Sequence, residues 1–117
     1  MPFKFEQLQV WKSAIELSGR VHEICKRFPK DELFILTSQI KRASDSVSLN
    51  IAEGSTGQSN DEFNRFLGYA LRSAIEVVSC LYLALNRKYI STDEFKELYD
   101  FIDSLCRKIQ ALRNSLK

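Results

Sequence analysis

Helix-breaking chemistry is scarce in this chain, and that scarcity does most to limit what it can become. Only four glycines and two prolines occur in 117 residues. Polar breaks near Pro29, Gly54–Gly57 and Ser91 leave four long segments, each with apolar residues recurring at three- and four-residue spacing. The spacing predicts helices over about 6–28, 31–53, 60–88 and 92–116, with no strand pattern and no second domain across 1–117. Ser59-Asn60-Asp61-Glu62 and Ser91-Thr92-Asp93-Glu94 have the capping-box spacing that starts a helix. The residue before Pro29 is pushed out of helical geometry, which should close the first helix. Short connections between long helices favour antiparallel neighbours, so the expected fold is all-α, an up-down-up-down four-helix bundle.

The apolar patterning is wider than one bundle core requires. The first segment carries two stripes, Leu8, Trp11, Ile15, Ser18 and Cys25 on one and Val10, Ala14, Leu17, Val21, Ile24 and Phe28 on the other. The third, about 43 Å long at 1.5 Å per residue, likewise shows Phe63, Leu67, Ala70, Ala74, Val77, Leu81 and Ala84 on one seam. Leu71, Ile75, Val78, Tyr82, Leu85 and Tyr89 form another. A long apolar stripe facing water predicts self-association, with Trp11, Leu71, Ile75, Val78 and Tyr82 as the candidate subunit contacts. The fourth segment keeps a strict alternation from Phe95 to Leu116 and places Arg107, Lys108, Arg113 and Lys117 on its polar side.

Gln39 to Gly54 concentrates the polar chemistry. Its seam of Leu36, Ile40, Ala43 and Val47 predicts a buried amide at Asn50, which can fix register or partner. Glu53 sits at the helix end where the dipole disfavours an anion, so a partner is expected, and antiparallel packing nominates Arg65. Gly54 reads as the helix stop. Lys41 and Arg42, with Asp45 nearby, read either as a phosphate grip or as a solvated face with an internal ion pair.

Composition excludes several function classes. Seventeen Lys and Arg against fifteen Asp and Glu leave a net charge of +2, far from the excess of a dedicated phosphate binder. Cys25, Cys80 and Cys106 lack metal-ligand spacing and read as reduced core thiols. His22 is the only histidine and reads as a boundary residue; Glu94, Glu97 and Asp100 read as solvating charge. No nucleophile has an activating constellation, so the chain reads as a non-enzyme with no cofactor and no metal. No segment reads as a signal peptide or as long enough to cross a membrane, which predicts a cytoplasmic protein with no membrane partner.

Phe5-Glu6-Gln7-Leu8-Gln9-Val10-Trp11 with Ala14, Phe28-Pro29, and Gln39-Ile40-Lys41-Arg42-Ala43 running to Asn50-Ile51-Ala52-Glu53-Gly54 form a recognisable series. Glu62-Phe63, Phe66-Leu67 and Lys88-Tyr89-Ile90 continue it. With these residues the chain resembles the bacterial four-helix bundle proteins also called 23S rRNA intervening-sequence proteins. That resemblance implies a left-handed bundle assembled as a ring-like homopentamer, and the family name records a genomic position, not an activity. The chain departs from the family pattern at Asp45, Ser48 and Arg72. Related bundles serve as accessory subunits of retroelements, where a basic pentamer binds nucleic acid. The resulting alternative is an RNA- or DNA-binding accessory protein using Lys41, Arg42, Arg72, Arg107, Lys108 and Arg113.

Overall fold

The computed structural model describes residues 3–117, and every regular element among them is helical. Helix α1 (Gln9–Cys25) follows a 3₁₀ turn at Lys4–Gln7, and α2 (Ser38–Gly54) follows a helical lead-in from Lys30 to Thr37. The long α3 (Asn60–Asn86) and α4 (Thr92–Ser115) complete the chain. Each helix packs on the next in sequence, and α4 also packs on α1, giving a body 43 Å long and 24 by 21 Å across.

Periodicity explains which faces turn inward. On α1 the stripe Val10, Ala14, Leu17, Val21 and Ile24 is buried, while Trp11 and Ser18 remain half-buried and Ile15 exposed. On α3 the first seam, Phe63 to Ala84, is buried throughout. Leu98, Ile102, Leu105 and Ile109 supply the buried row of α4. Leu17, Leu36, Ile40, Ile51, Leu67, Leu81, Ile102, Leu105 and Ile109 are essentially sealed from water. Removing such a side chain from water is worth roughly 1.5–3 kcal/mol each.

Chemistry sets the helix ends. Ser59 Oγ accepts from Glu62 N at 3.0 Å, and Ser91 and Glu94 make the reciprocal pair of a full capping box. Helix α3 stops at Asn86, short of the expected residue 88, because Lys88 adopts φ 64°. Tyr89 N then donates to Ala84 O and Lys88 N to Leu85 O, the paired bonds that close a helix C-terminus. The second helix also departs from expectation. Instead of one regular run from residue 31, a 3₁₀ turn (Lys30–Glu32) leads into a wide π turn (Leu33–Thr37) before α2 begins.

The expectation that no segment reaches membrane-spanning length requires correction. Helix α3 is long and apolar enough by length and composition to cross a bilayer. Its first seam is the interior of the bundle, which accounts for part of that hydropathy, and its second adds to it.

Candidate functional site

The Gln39–Gly54 stretch is α2 but for its first residue, and it packs on both α1 and α3. Asn50 is half-buried and does not fill the seam, a place taken by Ile51. Its Nδ2 donates to Ser46 O at 2.8 Å and Ser46 Oγ at 2.9 Å, and Ser73 Oγ donates to Ser46 Oγ at 2.9 Å. A polar chain therefore crosses from α2 to α3. Gly54 is buried inside the last turn of α2, so it is no left-handed stop; positive φ falls instead on Gly57, at 92°. A Cβ on Gly54 would lie 2.5 Å from Phe66 Cβ, so the missing side chain is what lets the two helices meet. The expected Glu53–Arg65 tie is not formed. Glu53 is exposed, while Arg65 reaches Glu62 at 3.9 Å and lies over the Phe66 ring.

The six candidate nucleic-acid contacts do not converge. Adjacent residues on a helix point 100° apart, and Lys41 sits close enough to Cys25 of α1 to act on its thiol, whereas Arg42 lines the groove between α2 and α3. Arg72 is exposed on α3. On α4, Arg107 is tied to Asp103 at 3.1 Å, Lys108 is exposed, and Arg113 is spent on Asn64 Oδ1 of α3 at 2.6 Å. Asp45 pairs with neither Lys41 nor Arg42. It accepts from Ser18 Oγ at 2.5 Å and contacts His22 Nε2 at 3.1 Å, binding α2 to α1. This contact shows that His22 has a partner, which one-dimensional spacing did not reveal. Ser18 donates to the carboxylate, not to the imidazole, so the trio lacks the serine–histidine contact of a nucleophilic triad.

The cysteines are likewise unactivated. Burial pushes the Cys25 thiol up to about 11 and raises those of Cys80 and Cys106. Among the described residues no cluster of three or more potential metal ligands occurs.

What stands out is apolar exposure. Phe34 is 89% and Ile35 62% exposed, at one end of an open groove of about 710 Å³ between α2 and α3 whose middle is lined by Gln39, Arg42, Ser73 and Glu76. On α3, Ile75 is 63% and Tyr82 53% exposed, with Leu83 beside them. Of the candidate subunit contacts, Trp11 is partly covered by Phe5, whose ring meets it edge-on at 4.8 Å, and Leu71 and Val78 pack against the core. Ile75 and Tyr82 stay open, Tyr82 with its ring 4.7 Å from that of Phe95.

The exposure of Phe34 has a specific cause. Glu32 is buried at the head of the π turn, where its carboxylate accepts from Tyr89 Oη at 2.7 Å, Arg87 Nη1 at 3.0 Å and Leu36 N at 3.4 Å. The Tyr89 hydrogen bond leads the effects that hold this carboxyl below its ordinary range, and the same bond raises Tyr89. Anchored there, the wide turn buries Leu36 and Thr37 and leaves Leu33, Phe34 and Ile35 outside. The sequence signal was the unbroken run Leu33-Phe34-Ile35-Leu36, one apolar residue after another where a helix face needs only some of them.

Comparison with known proteins agrees with this architecture. The family model for the 23S rRNA-intervening sequence protein matches residues 6–111. A solved structure of a protein with unknown function from the S23 ribosomal protein family of Bacteroides thetaiotaomicron superposes with a TM-score of 0.82 at 23% identity. The match covers 90% of this chain and 95% of that one, and at that identity the likeness establishes the fold. No curated protein matches.

Proposed function

The chain belongs to the 23S rRNA-intervening sequence protein family, and from that premise we propose that it is a non-enzymatic scaffold that assembles with copies of itself. The carrying observation is the set of large apolar side chains left in water, Phe34 and Ile35 on the π turn and Ile75 and Tyr82 on α3, on a chain whose core is already filled. Large apolar side chains exposed in groups mark a contact surface. The assembly we propose is the cytoplasmic homopentamer of up-down-up-down, left-handed bundles that the family resemblance implies. Light scattering or sedimentation at micromolar concentration tests it. The wild-type chain should be oligomeric, and Ile75→Asp with Tyr82→Asp should shift it toward one-chain mass without lowering helicity. A wild-type chain that stays monomeric overturns the reading.

Nucleic-acid binding is the weaker reading. The net charge is only +2, and the six candidate cations spread over several faces with Arg107 and Arg113 already engaged. A catalytic role finds no support in the raised thiols or in the Ser18 hydroxyl held by Asp45.

A further inference from the structure

The π turn at Leu33–Thr37 runs against the periodicity of the helix it leads into. Leu33 lies seven residues before Ile40 and three before Leu36, both buried, so a regular α-helix through this segment would point Leu33 into the bundle. Glu32 would lie about 80° round from Ile40, at 100° per residue, on the edge of that face. The opposite is found. Glu32 is buried and Leu33 is 48% exposed. A π turn holds one residue more than an α turn, and the extra residue rotates everything before it by one position. Glu32 therefore stands where a regular helix would place Leu33.

That register leaves a buried hydroxyl without a partner. Thr37 Oγ1 is the one buried side-chain oxygen or nitrogen among the described residues that makes no hydrogen bond. Ser44 and Ser48, buried in the regular part of α2, and Ser55 just beyond it each donate to the carbonyl three residues back, at 2.9, 3.0 and 2.8 Å. Thr37, at the end of the wide turn, does not. An unsatisfied buried hydroxyl is destabilising, and so is a half-exposed leucine one step from a buried place. Against both stands the clamp on Glu32, whose carboxylate accepts from Tyr89 Oη, Arg87 Nη1 and Leu36 N.

We infer that Leu33–Thr37 is a two-register switch with the Glu32 clamp as its latch. With the clamp closed the turn is π, and Leu33, Phe34 and Ile35 project into water. With the clamp open the segment winds as α-helix. Leu33 then takes the buried place of Glu32, Glu32 the exposed place of Asp31, and Phe34 the half-exposed place of Leu33, while Thr37 gains a carbonyl. The 3₁₀ turn Lys30–Glu32, between Pro29 and the switch, takes up the rotation. The switch thus sets how much apolar surface the bundle displays beside the α2–α3 groove. A partner seated on Phe34 and Ile35 binds one register better than the other and so selects it. On the self-assembly reading, on which this last consequence alone rests, that partner is a second copy of the chain.

Thermal melting of four full-length proteins tests the register: wild type, Thr37→Val, Glu32→Ala and the double variant. Thr37→Val should raise the melting temperature of the wild type by roughly 3–6 °C, because it removes an orphaned hydroxyl. In Glu32→Ala the hydroxyl has its carbonyl, so the same substitution should give no gain or a loss. Solvent paramagnetic relaxation of the Leu33 methyls, strong in the wild type, should drop in Glu32→Ala as the side chain turns inward. Tyr89→Phe with Arg87→Ala opens the clamp from its other side and replaces Glu32→Ala should that variant not fold. A Thr37→Val gain of equal size in both backgrounds, or Leu33 methyls equally accessible in both, overturns the switch. Light scattering across a dilution series separates it from the assembly reading, since Glu32→Ala should dissociate at a higher protein concentration than the wild type. A monomeric wild type ends the assembly reading and leaves the register result standing. An oligomer that dissociates at the same concentration in both, with the register changed, overturns the coupling between them.

Discussion

Gly54 shows how much one absent methyl group can decide. Its virtual Cβ lies 2.5 Å from Phe66 Cβ, a contact with the stem of a side chain on a packed helix, which cannot swing away. Gly54→Ala should therefore destabilise the fold by about 1–3 kcal/mol through overpacking. Gly19 sits in α1 with nothing within 4 Å of its virtual Cβ, and there Gly→Ala should stabilise by roughly 0.5–1 kcal/mol through helix propensity. Urea unfolding of both variants gives the two signs, and the same sign for both would refute the steric account. Glu32 makes a second residue-scale prediction. Its carboxyl is held below its usual value of 4.5, so its stabilisation is present above that pH and is lost as pH falls through the lowered value. Tyr89 is raised above its usual value of 10.0, so its share is present below that pH and is lost as pH rises through the raised value. Melting temperature against pH should fall at both ends, and Glu32→Gln should flatten the acid limb; an unchanged acid limb would assign it to other carboxylates. The Asn50–Gly54 motif was legible in the sequence as architecture, but its contacts were not. Which atoms Gly54 and Asp45 face depends on residues 12 and 27 positions away, and periodicity carries no such information.

At the scale of elements, the capped starts of α3 and α4 were legible because the Ser-x-x-Glu spacing is a local pattern written in four residues, though only α4 completes the reciprocal box and at α3 Ser59 caps without Glu62 reaching back. The ends were less so. Lys88 closes α3 in a left-handed conformation with no glycine to announce it, at φ 64°. That geometry imposes steric strain on a residue with a Cβ, while the pair of bonds from Lys88 and Tyr89 back to Leu85 and Ala84 rewards the turn. Lys88→Gly should keep those bonds and relieve the strain, stabilising the fold by about 0.5–1 kcal/mol net of the extra freedom of the unfolded chain. Lys88→Val should do the opposite, because a β-branched side chain tolerates positive φ least. Thermal melting of the pair reads both signs, and stabilisation by valine would contradict the strain argument. The π turn at Leu33–Thr37 was illegible for a different reason. It exists because Glu32 bonds Tyr89 and Arg87 more than fifty residues away, and only then does the register slip that exposes Phe34.

For the molecule as a whole, the sequence signalled more apolar surface than one bundle can hide, and the part left over includes the π turn and the outer side of α3, with Ile15 on α1 and Leu49 on α2 also open. Charge decides what that surface is suited to. A net charge of +2 suits contact between copies better than a polyanion. The two readings part on salt. Burial of apolar groups is not weakened by sodium chloride and is strengthened by sulfate, so the assembled mass should persist from about 0.1 to 1 M salt, where the screening length shrinks from roughly 10 to 3 Å. A phosphate grip made by all six candidate cations would instead give a log–log salt slope of about −5 for duplex nucleic acid, at roughly −0.9 per neutralised phosphate. Because those cations are dispersed and two are engaged, fluorescence anisotropy with a labelled RNA or DNA duplex should show weak binding with a slope far shallower than that. A slope near −5, with assembly falling apart over the same salt range, would reverse the assignment and make the cations, not Phe34 and its neighbours, the working surface.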